Sequence, residues 1–140
     1  KNYPTVVMMR LNYLILLVTF SGISLELYQQ KPLAQSIKDG EEIYTDFCLQ
    51  CHMAKGEGVP SAFPPLAKSD YLNDLDKSIH AIKYGLKGPI QVNGVNYNGN
   101  MISQGLDDEE IADVMNYILN NWGNSNATVV TEEKVASIKR

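Results

Sequence analysis

The two cysteines of this 140-residue chain lie close together and are followed at once by a histidine, in the order Cys48-Leu49-Gln50-Cys51-His52. Two thiols at this spacing can reach one edge of a porphyrin from a single helical turn and form thioethers with its vinyl groups. The adjacent histidine then lies under the iron and can donate a ring nitrogen. The pattern is therefore typical of covalent attachment of haem c.

Two other uses of a paired-cysteine motif fit this sequence poorly. A redox dithiol of the thioredoxin type follows a strand in a βαβ unit, and no such pattern precedes Cys48. A structural zinc ion needs about four ligands. The only other histidine, His80, does not lie at a distance from the motif that is common among zinc sites. We therefore expect the motif to carry haem.

A second axial ligand decides whether such an iron carries electrons or binds a substrate. Met101 follows a run rich in glycine and asparagine and comes shortly before the last predicted helix, so a loop could bring its thioether to the distal face. A soft sulfur ligand favours ferrous iron and raises the reduction potential. We predict that His52 and Met101 hold the iron; the alternative is a surface methionine over an open site. The other methionines lie in the leader, beside His52 or on a core helix face (Met8, Met9, Met53 and Met115).

The first thirty residues are typical of a targeting segment. Arg10 precedes an uncharged apolar stretch from Leu11 to Leu25, which fits the core of a secretory signal. The alternative is an uncleaved anchor that holds the chain to a membrane through residues 11–25. Either reading predicts an exported protein, in the periplasm or on the outer face of the bacterial inner membrane. A formal net charge of −4 argues against nucleic acid as a partner.

Helix signals frame the motif on both sides. A linker over residues 31–38 is predicted to precede a helix from Asp39 to Cys48, with Asp39 and Glu42 as a capping box. The clearest helix begins at Asp107, where Glu110 completes a second box, and is predicted to end at Gly123.

Shorter elements are predicted between these two helices. Asp74 caps a helix over Leu75–Leu86, and Asn93-Gly94 lies between alternating apolar residues as in a two-residue hairpin turn. Residues 53–73 are too rich in proline and glycine for a long helix. Within that loop, a rigid proline in the run Ala62-Phe63-Pro64-Pro65-Leu66 could hold a backbone carbonyl near the second ring nitrogen of His52. The alternative is an ordinary turn.

Taken in order, these features resemble the class I cytochromes c over about residues 35–123. The resemblance is carried by Gly40 and Tyr44 before the motif, by Pro64-Pro65-Leu66, and by Tyr97-Asn98-Gly99-Asn100-Met101 followed by the last helix. Ile102 stands where the family usually has proline. The resemblance implies an all-α fold, with three to four main helices wrapped around one covalent haem and a small hairpin before the methionine loop.

The resemblance also assigns contacts and roles to individual residues. It implies that the first and last helices cross near Gly40 and that the Pro64 carbonyl receives the His52 N–H. It further implies that Leu66 packs on the haem. The haem-binding set is thus expected to be Cys48, Cys51, His52, Pro64, Leu66 and Met101, with no catalytic residue.

The predicted organisation is a signal or anchor over residues 1–30, a haem domain over 35–123 and a polar tail over 124–140. The predicted function is one-electron transfer in an exported chain, as a monomer that meets redox partners transiently and serves a periplasmic oxidoreductase or terminal oxidase. The segment from Phe63 to Tyr71 also looks like haem domains of copper nitrite reductases and quinoprotein dehydrogenases. Two alternatives remain: a haem subunit anchored in a larger membrane complex, and an open-site peroxidase or gas-binding protein.

Overall fold

The first helix, α1, runs from Leu33 to Phe47 in a computed structural model that describes residues 31–125 and 128–140. The predicted leader lies outside the described residues. The predicted linker over 31–38 is wrong, since Pro32 is the N-cap and Asp39 lies inside the helix. The helix starts early because Ser36, Gly40 and Tyr44 form one buried stripe at four-residue spacing, which extends the packed face upstream.

The long C-terminal helix of the core, α4, runs from Asp108 to Leu119. The predicted capping box is confirmed: Asp107 Oδ1 accepts from the Glu110 N–H at 2.9 Å, and Glu110 Oε2 accepts from the Asp107 N–H at 2.9 Å. The helix ends before the predicted Gly123. Side-chain amides of Asn120 and Asn121 bind carbonyls of its last turn, and the backbone beyond them turns left-handed at Trp122.

Gly40 is the point at which α1 crosses α4, as predicted. A Cβ atom on Gly40 would overlap the backbone carbonyl of Asp113 and lie 2.9 Å from the Cβ of Tyr117. One turn further along α1, the Tyr44 ring lies 5.4 Å from the Tyr117 ring, centroid to centroid. The missing side chain therefore allows the two backbones to meet, and the aromatic pair fills the space beside them.

A polar cluster closes the other side of this crossing. Lys31 Nζ lies 2.7 Å from Asp113 Oδ2, 2.5 Å from Glu109 Oε1 and 3.2 Å from Asp39 Oδ2. Asp113, buried on α4, also accepts a hydrogen bond from Ser36 Oγ at 2.6 Å. Burial opposes the charge on Lys31, but hydrogen bonds to the three carboxylates outweigh it and raise its pKa.

The segments between α1 and α4 are short. A single turn, α2, spans Leu49–His52, and a 3-10 turn spans Asp70–Asn73. Helix α3 spans Leu75–Tyr84 with Asp74 as its predicted cap, and the backbone at Gly85 has a positive φ of 84°. Strands β1 (Leu86–Val92) and β2 (Val95–Met101) pair antiparallel around the predicted Asn93-Gly94 turn, so the architecture is helical with one hairpin.

Met101 is the last residue of β2, paired with Leu86, rather than part of a flexible loop. The prediction failed because glycine and asparagine at positions 98–100 weaken the strand signal, while ladder hydrogen bonds to β1 override local preference.

The C-terminal segment contributes to the core, in contrast to the polar tail predicted over 124–140. Val130, Val135 and Ile138 are buried, the last two around helix α5 (Glu132–Ser137). Asn116 of α4 holds this segment: its Nδ2 donates to the Val130 carbonyl and its Oδ1 accepts from the Val130 N–H, each at 2.9 Å. Residues 31–140 thus form one compact unit. In the described part of the chain no helix is long and apolar enough to cross a membrane.

Replacing Gly40 with alanine tests the helix crossing. The added Cβ must push α1 away from α4, so we expect the free energy of unfolding of the holoprotein to fall by about 1–3 kcal/mol. Alanine at an exposed helix position would instead stabilise by up to about 1 kcal/mol. Denaturant unfolding measures the difference. Lys38→Ala, on the exposed face of α1, is the control and should change stability by less than about 0.5 kcal/mol. Equal stability of the two variants would contradict the crossing.

Candidate functional site

The paired-cysteine motif occupies the α2 turn, directly after α1. The backbone N–H groups of Cys51 and His52 both donate to the Cys48 carbonyl, at 3.2 and 2.9 Å, which fixes the two thiols and the imidazole on one turn. Cys48 is buried and Cys51 is half-buried, and both thiols are free. Burial, with a smaller contribution from Cys51, raises the pKa of Cys48 to about 11. Its thiol is therefore protonated at neutral pH in the protein without haem.

His52 is buried, and its ring is tied to the loop that follows. Its Nδ1 lies 3.0 Å from the carbonyl oxygen of Pro64, which confirms the predicted contact. Burial lowers the pKa of His52, and the bond to Pro64 only partly opposes that effect. A neutral imidazole that donates through Nδ1 keeps the Nε2 lone pair for a metal, and the carbonyl fixes the ring orientation.

Gly58 allows the Pro64 carbonyl to reach His52. The backbone at Gly58 has a φ of +64°, and a Cβ there would lie 2.7 Å from the Pro64 oxygen. Val59 and Phe63 close the intervening turn with two backbone hydrogen bonds of 2.8 Å. The turn therefore holds the Pro64 oxygen in place, and only glycine at position 58 avoids displacing that oxygen.

Tyr44 supports the motif from the side of α1. Its hydroxyl donates to the Met53 carbonyl at 2.7 Å, directly after His52. Its ring also packs at 4.9 Å from that of Trp122. Gly56 lies against Trp122, because a Cβ there would be 2.5 Å from the indole ring. The aromatic cluster thus couples the end of the motif to the residues after α4.

A cleft with two lobes opens beside His52. The lobes enclose about 710 and 610 Å³ of space outside protein atoms, including the part open to solvent. Five residues line both lobes: His52, Pro64, Leu86, Ile90 and Met101. Cys51 faces the first lobe, whereas Cys48 and Leu66 face the second.

Met101 is half-buried and reaches this cleft from the end of β2. The chain around it is held against the end of α3 at two points. A Cβ on Gly85 would lie 2.8 Å from the Met101 carbonyl oxygen, and Ser103 Oγ donates to the Lys83 carbonyl at 2.8 Å. The strand therefore presents the Met101 thioether from a fixed backbone rather than from the flexible loop that the sequence predicts.

The residues present fit a covalently bound haem. The cleft offers two free thiols, a neutral imidazole with an available nitrogen, and a thioether, within a largely apolar lining. Among the residues that the structure describes, no group of three or more histidines, cysteines or carboxylates could hold a metal ion. The described part of the chain thus offers no zinc-type cluster.

Comparison with known proteins agrees with this reading. A family model described as cytochrome c matches residues 37–122. The chain belongs to the cytochrome c family. It is 44% identical over 100 residues to cytochrome c-552 of Thermus thermophilus, a match covering 66% of each chain. The predicted family is confirmed, and so is the predicted cofactor, because this family binds covalently attached haem c and carries electrons.

More distant relatives are parts of larger enzymes. The chain is 31% identical over 106 residues to the gluconate 2-dehydrogenase cytochrome c subunit of Pantoea cypripedii. It is 28% identical over 108 residues to the cytochrome c subunit of the quinone alcohol dehydrogenase of Gluconobacter oxydans. The matches cover 72% and 71% of this chain but only 24% and 22% of those relatives.

Several site residues escaped the sequence analysis. Gly58 lies within the loop over residues 53–73, whose glycines and prolines predict only the absence of a long helix. A glycine six positions after the motif histidine and six before Pro64 nevertheless suits a tight return of the chain. Ile90 and Leu86, which line both lobes, were read only as hairpin and helix residues. Their role depends on where the hairpin lies against the rest of the cleft, which the Asn93-Gly94 pattern does not predict.

Gly58→Ala should raise the reduction potential. The added methyl group displaces the Pro64 carbonyl, so His52 loses that hydrogen bond. If His52 binds the iron, as proposed below, it becomes a less basic ligand, which disfavours ferric iron. Loss of about 1 kcal/mol corresponds to roughly 40 mV for one electron. Spectroelectrochemical titration of the holoprotein measures the shift. Gly94→Ala is the matched control, because Gly94 also has a positive φ but has no atom within 4 Å of the added Cβ. A similar shift in both variants would rule out the carbonyl as the cause.

Proposed function

We propose that the chain is an exported one-electron carrier whose haem iron is held by His52 and Met101. The observation that carries this proposal is that both side chains line both lobes of one cleft. An iron with two protein ligands has no free coordination position for a substrate, so this ligand pair favours transfer of electrons over catalysis.

The chain's own residues would keep the site unchanged during transfer. Haem supplies the reversible one-electron couple of its iron. Cys48 and Cys51 would hold the macrocycle, and Pro64 keeps the orientation of His52 fixed. Apolar walls such as Leu66 and Ile118 exclude water from the second lobe. A site that neither rehydrates nor moves has little to rearrange when an electron arrives or leaves.

The class I fold is part of this proposal, with α1, α3 and α4 as the main helices around the haem. It is supported by the crossing at Gly40 and by the order of motif, Pro64 and Met101 along the chain. Leu66 would pack on the haem, since it lines the second lobe together with Cys48.

We place the protein in the periplasm or on the outer face of the inner membrane, where it would serve a dehydrogenase or a terminal oxidase. The apolar stretch from Leu11 to Leu25 supports export. The relatives named as dehydrogenase cytochrome subunits support partnership with an oxidoreductase, and they also favour the second candidate, a haem subunit within a larger membrane complex.

Met101→Ala tests the ligand set. The wild-type ferric holoprotein should be six-coordinate and low-spin and should show a methionine-to-iron charge-transfer band. Met101→Ala should lose that band and gain a high-spin or water-bound spectrum, with a lower reduction potential because the soft ligand is gone.

Met115→Leu is the control for this experiment. Met115 is buried on α4 and also lines the second lobe, so it is the other thioether that faces the cleft among the described residues. A leucine of similar volume should leave the spectrum unchanged. Loss of the band in Met115→Leu with its retention in Met101→Ala would transfer the ligand role to Met115. A wild-type protein that binds carbon monoxide without losing a protein ligand would instead support an open site.

Fractionation of the native cell tests export and anchoring. We expect haem-stained holoprotein in the periplasmic fraction, with a mature mass that lacks the leader. Recovery from the membrane with residues 11–25 still present would establish the anchored form. Alkaline carbonate washing separates an anchor from a peripheral contact, and copurifying proteins identify the partner. Holoprotein in the cytoplasm would contradict the proposal.

A further inference from the structure

The segment over residues 102–106, which follows Met101, forms one wall of the first lobe of the cleft. Ile102 and Gln104 line this lobe beside Met101. Among the described residues, Ile102 is the most exposed large apolar side chain, at 66%. A side chain that lies mostly in solvent buries little apolar surface and gives the segment little hold on the core. The position of this wall must therefore be set by other contacts.

Ser103 makes the hydrogen bond that joins this segment to the rest of the fold. Its Oγ donates to the Lys83 carbonyl at 2.8 Å. Within residues 31–125 and 128–140, this is the one hydrogen bond that residues 102–106 make to another part of the chain, because their other hydrogen bonds stay inside the segment. Apart from this bond, the segment relies on Leu106, which packs against the core.

The acceptor of this bond is itself firmly placed. The Lys83 carbonyl belongs to the last turn of α3, where carbonyls have no partner within the helix. The side chain of the same residue is also held. Lys83 Nζ lies 2.8 Å from Asp108 Oδ1, at the start of α4, and donates to the Val135 carbonyl of α5 at 2.9 Å. The Ser103 hydroxyl therefore binds a carbonyl whose place depends on three helices.

The strand register places this bond just beyond the methionine. Met101 pairs with Leu86 as the last pair of the ladder. Gly85 lets the two chains stay close past that pair: its φ is +84°, and a Cβ there would lie 2.8 Å from the Met101 carbonyl oxygen and 3.1 Å from the Ser103 nitrogen. The Ser103 bond thus extends the hold on β2 beyond its last residue. Without it, Met101 would be the fraying end of a strand.

We propose that Ser103 is the positioning residue for Met101: its hydroxyl latches residues 102–106 over the first lobe, and release of this latch lets a small external ligand displace the thioether from the iron. The inference rests on the proposed function, because it takes Met101 as an iron ligand. In the described part of the chain, the lining of the first lobe contains no carboxylate, lysine or arginine. The ligand that this opening admits is therefore a small neutral base, and imidazole is a ring that iron accepts.

Imidazole titration of the ferric holoprotein tests the latch, with the methionine-to-iron charge-transfer band as the readout. Ser103→Ala removes the hydroxyl and leaves Met101 in place. Loss of one hydrogen bond between neutral groups should shift the segment towards its open form by about five-fold. The imidazole concentration at which half of the band is lost should fall by about the same factor, because affinity scales with the open fraction. Ser103→Thr keeps the hydroxyl and should restore the wild-type value.

Two matched variants separate the latch from general effects. Ser137→Ala removes an exposed hydroxyl that also donates to a backbone carbonyl, that of Lys134 at 2.6 Å, and should leave the imidazole affinity unchanged. Gln104→Ala removes an amide that donates to the Ile102 carbonyl at 2.7 Å, inside the segment, and should change the affinity less than Ser103→Ala does. A larger gain in Gln104→Ala than in Ser103→Ala would assign the hold to Gln104 and overturn the proposal.

The latch and the proposed ligand pair fail in different ways. A wild-type ferric holoprotein without the methionine band would refute Met101 as a ligand, and the latch with it. A wild-type band together with equal imidazole affinities in wild type and Ser103→Ala would overturn the latch alone. Rapid mixing gives an independent measurement: the rate at which excess imidazole removes the band should be higher in Ser103→Ala than in wild type. Equal rates would contradict the proposal.

Discussion

The direct contact between the backbones of Gly40 and Asp113 sets the geometry on which the site depends. Because no side chain separates the two helices there, the backbone of α1 lies directly against the Asp113 carbonyl of α4. The end of α1 then delivers Cys48 and the α2 turn to a fixed place beside α4, whose residues Met115 and Ile118 line the second lobe. A larger residue at position 40 would move the thiols relative to that wall.

The orientation of His52 depends mainly on backbone groups of the neighbouring loop, with support from one side chain, Tyr44. Gly58 leaves room for the carbonyl oxygen of Pro64, and that oxygen accepts a hydrogen bond from the His52 ring. The hydroxyl of Tyr44 donates to the backbone carbonyl of Met53, directly after the motif. Backbone groups lose little conformational entropy when they serve as partners, because the fold has already fixed them. The loop after the motif therefore stiffens His52, the proposed iron ligand, although it contains little regular structure.

The sequence predicted the features that are encoded by neighbouring residues. The attachment motif, the Asp107 box and the Asn93-Gly94 turn all depend on contacts within a few positions. The predictions that were wrong concern features that depend on contacts with residues distant in the sequence. Helix α1 starts at Leu33 because Ser36 donates a hydrogen bond to Asp113 of α4. Met101 lies in a strand because it pairs with Leu86 of β1. No local pattern in either segment contains that information.

The amide of Asn116 has a consequence for where the haem module can be divided. This amide hydrogen-bonds to the N–H and the carbonyl of Val130, as a neighbouring strand would. Val130 lies beyond residue 122, where the match to the family model ends. A haem unit cut at that boundary would lose the side chains of Val130, Val135 and Ile138 from its core and leave a buried amide exposed on α4. The smallest transferable module is therefore longer than the stretch that the family model matches, and a fused domain would have to begin after α5.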